Sequence, residues 1–316
     1  MKTLKYFLIA LLFPAFVLTG CKDEKKEDDS KSAHKILVEY LVAQNLDLDA
    51  ILTDWIVPAS GVVDDLDAYN VIDIRKSTDF NSAHIVGAVN CPLADVITKA
   101  GEFATKKTIL VVCYTGQGAG HAVVALRLSG YTDTKVLKWG MSSWGPSYSA
   151  PWDGNAKQLD DLTNWTTDVS LSSPATFSEP NITSSSQDGA TILAAQVNTM
   201  LEGGFSGITN TDVLSGYSSY FINNFWAIES INKYGHIKEA YNIKPLTIAN
   251  GLIYHLDPSK DIVTYCWTGQ TSSMITAYLT VLGYKAYSLK FGANGMIHDD
   301  LEEHKWSTPS TDLPVE

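Results

Sequence analysis

The chain has 316 residues, about twice the usual domain length, and 45% of them are hydrophobic against 18% charged, enough apolar material for two ordinary cores. Its formal charge of −12 argues against nucleic acid as a partner, because phosphate binding needs clustered Lys and Arg. Four cysteines over this length do not make a disulfide scaffold, so their positions matter more than their number.

In chain order, Lys2 and Lys5 precede an apolar run over 6–17 and then Leu18-Thr19-Gly20-Cys21. A basic start, a short apolar stretch and small residues before a cut describe a secretory signal, and the run is too short to span a bilayer. Leu-Thr-Gly-Cys resembles the lipobox of bacterial lipoproteins. That resemblance implies removal of residues 1–20, lipid on Cys21 and attachment to a membrane of the cell envelope, facing periplasm or exterior. Residues 21–32, dense in Lys, Asp and Glu, read as a solvated tether. Residues 33–56 are predicted helical, with Ile36, Leu37, Tyr40 and Leu41 on a face packed against the first domain.

The remainder repeats itself. His84-Ile85-Val86-Gly87-Ala88 in the first half answers His236-Ile237-Lys238-Glu239-Ala240 in the second. Cys113-Tyr114-Thr115-Gly116-Gln117 answers Cys266-Trp267-Thr268-Gly269-Gln270 at an offset of 153 positions, and Lys138-Trp139-Gly140 answers Lys290-Phe291-Gly292. So long a period marks a duplicated domain rather than a solenoid unit. We expect domains over 33–168 and 189–316, joined by a Ser-, Thr- and Pro-rich linker over 169–188. Within each, β-branched apolar runs at 108–112 and 261–265 read as strands buried on both faces. Each ends at its cysteine. Helical periodicity follows over 122–128 and 274–282, Gly130 and Gly283 supply stops, and further strands are expected at 133–137 and 286–289. The fold class is therefore α/β: two doubly wound domains, each a mainly parallel sheet flanked by helices.

A cysteine at a strand end, before a tight turn into a helix, faces free backbone N–H groups and the positive end of the helix dipole. Such a place lowers a thiol pKa and equally suits a persulfide anion. Thr115 and Thr268 are expected to donate into that cradle, while Gly116 and Gly269 take the unusual dihedrals it needs.

On these residues both halves resemble rhodanese domains. The first shows Asp-x-Arg at Asp73 and Arg75, His-Ile-x-Gly-Ala at His84, and Cys-x-x-Gly at Cys113. The resemblance implies a sulfurtransferase or persulfide carrier that moves sulfane sulfur from a small donor to a thiol acceptor through a cysteine persulfide. It implies neither metal nor organic cofactor. The implied nucleophiles are Cys113 and Cys266, and the implied substrate loops are Tyr114, Thr115, Gly116, Gln117, Gly118, Ala119 and Trp267, Thr268, Gly269, Gln270, Thr271, Ser272. Asp73, Arg75, His84 and His236 are read as scaffold. Tandem rhodaneses commonly keep the second half active, which favours Cys266.

The second half departs from the pattern, with Ala227 and Glu229 read in place of the Asp and Arg, and Glu239 for the glycine. Gly120 is expected to weaken the first helix start. Neither loop holds Arg or Lys, which weakens the case for thiosulfate and speaks against a Cys-based phosphatase. Cys91, opposite Ile243 in the repeat, reads as core. His121 is expected on the surface. Trp267 either lines a substrate mouth or covers the core. A degenerate pair that binds a protein partner, and a thiol redox protein, remain as alternative functions. The acidic balance favours a small or basic acceptor.

Overall fold

The computed structural model describes residues 31–316, so the expected signal, Cys21 and most of the tether lie outside the described residues. The first half contributes β1 (Ile56–Val57), β2 (Tyr69–Asp73), β3 (Val89–Asn90), β4 (Thr108–Val112) and β5 (Thr134–Leu137). They form one parallel sheet in the order β1-β5-β4-β2-β3. A two-residue strand, β6 (Trp165–Thr166), follows. The second half adds β7 (Gly207–Ile208), β8 (Phe221–Asn224), β9 (His236–Ile237), β10 (Ile262–Tyr265) and β11 (Ala286–Leu289). Of these, β7-β11-β10-β8 make a second parallel sheet. Two doubly wound α/β domains are thus present, each cysteine standing at the carboxyl end of its central strand.

β4 and β10 are buried almost throughout because helices cover both faces, which is why they read as unbroken apolar runs. The helix after each cysteine starts earlier than its apolar periodicity shows, spanning Gln117–Leu128 and Gln270–Val281. Both end in a Schellman turn. Gly130 and Gly283 lie at φ +94° and +92°, and the amides of Tyr131 and Tyr284 reach back to Leu126 and Leu279.

These two helices pack on each other and carry the joint between the halves. Gly120 lies within the helix that begins at Gln117, in a close helix–helix crossing. A Cβ there would stand 2.7 Å from Ser273 Oγ, so only glycine lets the helices approach so near. His121 is not on the surface but fully buried in the same crossing. Its Nδ1 is 3.0 Å from Ser273 Oγ, its ring meets Phe205 edge-on, and burial lowers its pKa to about 3.

Residues 33–56 are not one helix. Ala33–Ala43 ends where Asn45 turns to φ +56°, and Asp47 caps the short helix Leu48–Ile51. The first helix packs chiefly on the second half rather than on the first domain. His34 Nδ1 lies 3.0 Å from Leu282 O, and the helix leans on Gly189–Gly203, whose first glycine leaves no room for a Cβ against Tyr40. The linker has no regular structure, yet Phe177 N donates to Tyr254 O and Ile182 is buried.

The end of each half crosses to the other. Beyond the first domain's last helix, Lys157 N and Leu159 N donate to Asn294 O and Met296 O, and β6 pairs antiparallel with β9. Leu159, Leu162 and Trp165 join the core around Trp226 and Tyr265. Reciprocally, residues 312–316 lie on the first half. His84 and Glu316 exchange two backbone hydrogen bonds, Leu313 N donates to Trp144 O, and Leu313 and Val315 join the core around Ile85 and Trp144. The packing thus interlocks across the boundaries expected at 168 and 189.

Candidate active site

Cys113 follows β4 directly, and its Sγ accepts from Gly116 N at 3.1 Å and Ala119 N at 3.4 Å. Gly116 lies at φ +79°, which aims its N–H inward. The loop is clamped from below: Met141 N donates to Cys113 O at 2.7 Å, Ser142 N and Oγ to Tyr114 O, and Trp152 Nε1 to Thr115 O at 3.1 Å. Gly140 makes this approach possible, since a Cβ on it would overlap Cys113 O and stand 2.5 Å from Gly116 N.

The second loop repeats the design. Ala293 N and Asn294 N donate to Cys266 O and Trp267 O, and Gly292 leaves no room for a Cβ against Cys266 O. Its sulfur has different company. Cys266 Sγ accepts from Ser272 N at 3.4 Å and stands 3.6 Å from Ser272 Oγ, which continues to Ser288 Oγ at 2.8 Å and from there to Gly269 O. The corresponding residue in the first loop is Ala119, which brings no hydroxyl.

Burial is deeper than the sequence implies. Cys113 is 7% exposed and Cys266 2%, and Cys91, Cys113 and Cys266 are all free thiols. Burial pushes the Cys113 thiol up, outweighing the amides of Ala119, Thr115 and Gly116 that favour the thiolate. The amides of the loop act in the expected direction, but burial outweighs them and the net shift is upward. Cys91 packs in the core, its thiol pushed up to about 11 by burial. The threonines do not donate to sulfur: Thr115 Oγ1 accepts from Gln117 Nε2, and Thr268 Oγ1 from Gln270 N.

A Cβ on Gly118 would stand 3.9 Å from Cys113 Sγ and 4.0 Å from Ile74 Cδ1, in ordinary contact, where the second loop carries Thr271. Tyr114 borders the first loop, its hydroxyl bonded to the Asp79 carboxylate and its ring 5.9 Å from the Arg75 guanidinium.

Asp73 and Arg75 form a buried pair at 2.6 Å, and Arg75 also donates to Ala83 O. The pair is satisfied within the scaffold and leaves Arg75 no free fork for an anion. Their counterparts in the second half are Asn224 and Trp226, not Ala227 and Glu229. Asn224 stands beside Tyr265 as Asp73 stands beside Val112, one residue before each cysteine. Asn224 Oδ1 accepts from Trp226 N as Asp73 Oδ1 does from Arg75 N. Register decides the match because the intervening loop differs in length. Trp226 then stacks on Trp267 at 4.3 Å, replacing the Arg75–Tyr114 contact with an aromatic pair that also meets Tyr234. Trp267 is thus packed into the second core while half-exposed beside Cys266. Glu239, opposite Gly87, keeps the same left-handed backbone at φ +60°.

The two histidines hold the crossing segments. His236 Nε2 is 2.8 Å from Asp168 O, and His84 Nε2 is 3.6 Å from the Glu316 carboxylate. Sequence reasoning missed Asn90 and Asn242, whose amides bridge the carbonyls of residues 73 and 75 and of residues 224 and 226. Their matched places in the repeat were the available signal. It also assigned Gln117 and Gln270 to substrate, whereas each reaches across to the opposite loop. Gln117 Oε1 accepts from Phe291 N at 2.9 Å, and Gln270 fills the space beside Gly116.

A family model of the Rhodanese-like domain matches residues 59–146 and 218–298, more than half of the chain. The chain is similar to the uncharacterized protein YqhL of Bacillus subtilis, at 34% identity over 80 residues, covering 25% of this chain and 64% of that protein. It is similar to the putative sulfur carrier protein YrkF of the same organism, at 28% over 82 residues, covering 26% and 44%. It is also similar to the thiosulfate sulfurtransferase GlpE of Shewanella oneidensis, at 32% over 74 residues, covering 23% and 73%. The match thus spans less than two thirds of the first two of these proteins. With the model matched twice and both matches containing the same cysteine-loop architecture, the chain belongs to the rhodanese-like domain family and carries two such domains in tandem.

Proposed function

We propose that the protein is a sulfurtransferase or persulfide carrier that takes sulfane sulfur from a thiosulfate, mercaptopyruvate or polysulfide type donor and passes it to a thiol. The observation that carries this reading is the pair of backbone N–H groups on Cys113 Sγ, at the foot of a helix. A persulfide there would place its anionic outer sulfur near donors already oriented. The names of the sulfur carrier and thiosulfate sulfurtransferase relatives support the same class.

In the first step the cysteine thiolate attacks the donor's outer sulfur, and the donor's bond to that sulfur breaks with its electron pair leaving on the remainder, sulfite in the case of thiosulfate. In the second, an acceptor thiolate attacks the outer sulfur of the persulfide and the cysteine leaves as thiolate. The sequence favoured Cys266 for this role, but the geometry favours Cys113. Its sulfur accepts from two backbone N–H groups where Cys266 Sγ accepts from one, and Cys113 is the slightly more exposed residue.

Intact-mass spectrometry after exposure to each donor tests the reading. A sulfur adduct lost in Cys113→Ser and kept in Cys266→Ser is expected. The reverse pattern moves the carrier to the second loop. No adduct from any donor, with both thiols alkylatable once unfolded, rejects sulfur transfer in favour of a partner-binding rhodanese pair, a reading that the depth of both sulfurs favours.

The same proposal places the protein at a bacterial envelope, held by lipid on Cys21. Labelling of growing cells with an alkynyl fatty acid is expected to mark the wild-type chain and not Cys21→Ser. Equal labelling of both would remove the anchor.

A further inference from the structure

Gln270 stands at the first position of the helix after Cys266, yet its side chain belongs spatially to the other cysteine. A Cβ placed on Gly116 would overlap Gln270 Nε2 and stand 3.1 Å from its Cδ. The same point lies 3.0 Å from Leu137 O at the end of β5, so the amide fills the gap between the Cys113 loop and its own sheet. Gln270 is 1% exposed, and neither Nε2 nor Oε1 has a hydrogen-bond partner. A buried amide without partners is unfavourable, and a hydrocarbon side chain would fill the space without that cost.

The mirror contact is built differently. Gln117 Oε1 stands 2.5 Å from the point a Cβ on Gly269 would occupy, but both ends of its amide are bonded, to Phe291 N and Thr115 Oγ1. The consequences at sulfur differ too. Gly116 N donates to Cys113 Sγ at 3.1 Å, whereas the backbone donor to Cys266 Sγ is Ser272 N. The glycine that Gln270 holds is therefore itself a ligand of the opposite cysteine.

We infer that Gln270 is a positioning residue for Cys113, supplied by the second domain: by packing against Gly116 it keeps that residue in its left-handed conformation and its N–H on the sulfur. Met141, Ser142 and Trp152 hold the carbonyls of residues 113–115 from below, and Gln270 is the side chain packed against Gly116 itself, at φ +79° a conformation glycine adopts freely and can also leave. The two domains then do not carry independent sites. The first domain's cysteine depends on the second domain's helix.

The test reads thiol chemistry rather than sulfur transfer, so it stands or falls apart from the proposed function. In the full chain, iodoacetamide alkylation of Cys113 and Cys266 is followed from pH 6 to 11 by peptide mass spectrometry for wild type, Gln270→Ala and Gln270→Met. Loss of the Gly116 donor is expected to move the Cys113 profile to higher pH and to slow its alkylation about tenfold at neutral pH. Gln270→Met, which refills the space without an amide, is expected to restore the profile. Cys266, though nearer in sequence, is expected to keep its own. An unmoved Cys113 profile, a shift confined to Cys266, or a methionine variant indistinguishable from alanine would each overturn the inference. Should Gln270→Ala not fold, Gln270→Asn, one methylene shorter, is read by the same criteria.

Discussion

The two halves answer one architectural demand with different chemistry around the sulfur. In the first, a buried Asp73–Arg75 pair stands behind Cys113, Arg75 faces the Tyr114 ring, and Gly118 brings no side chain to the loop. In the second, Asn224 keeps the backbone turn without a charge, Trp226 stacks on Trp267, and Ser272 with Ser288 places a hydroxyl chain against Cys266. Backbone features are kept: left-handed Gly116 and Gly269, and the glycines at 140 and 292 that admit the loop carbonyls. Side-chain features are exchanged in coordinated sets. A loop of this kind therefore tolerates a new electrostatic setting as long as the peptide groups that cradle the sulfur stay where they are.

The largest losses are expected at the backbone features that both halves share. Gly140→Ala and Gly292→Ala each place a methyl group on a loop carbonyl at φ +62° or +53°, and each is expected to cost about 3 kcal/mol or more. Urea unfolding checks this, and a loss below about 1 kcal/mol at either position would show that the loops can move aside. Next comes the charge that only the first half carries. Asp73→Asn leaves the Arg75 guanidinium buried and unpaired, an expected loss of about 3–5 kcal/mol. The double change Asp73→Asn, Arg75→Trp imitates the second half and should recover much of it, because it removes the uncompensated charge. A double variant as unstable as the single one would mean that the aromatic pair needs the rest of its own surroundings.

Removing the crossing segment sharpens the comparison further. Truncation after residue 311 strips Leu313 and Val315 from the first core, and about 2–4 kcal/mol should be lost. Hydrogen exchange should then rise around Ile85 and Trp144 more than around Trp226. Uniform exchange across both halves would contradict the interlocked packing.

A smaller, pH-dependent difference comes from Cys91, for which the second half has Ile243. Its folded thiol, at about 11, stays protonated while the unfolded one ionises from about pH 9. The folded state then binds more protons, so stability should fall as pH rises between those values, and Cys91→Ala should flatten that fall. The mildest change exchanges the residues at one matched loop position: Gly118→Thr, whose Cβ would stand 3.9 Å from Cys113 Sγ, is expected to slow alkylation of Cys113 severalfold, and Thr271→Gly to quicken that of Cys266.

The repeat, the strands ending at Cys113 and Cys266, the helices behind them and the glycine stops were legible in the sequence because each is a local demand: β-branched runs, 3.6-residue periodicity, and backbone angles only glycine takes freely. Those demands set fold class and the position of both sulfurs along the chain. Tertiary structure alone decided that Asn224 and Trp226, rather than Ala227 and Glu229, stand opposite Asp73 and Arg75, since strand register and not sequence offset fixes that match. It alone placed His121 inside, sent residues 157–166 and 312–316 to opposite cores, and turned Gln270 toward Gly116. The physical reason is common to all of them. They are contacts between residues far apart in the chain, chosen by which surfaces two duplicated domains must hide from water when they close on each other, and no single stretch of sequence carries that information.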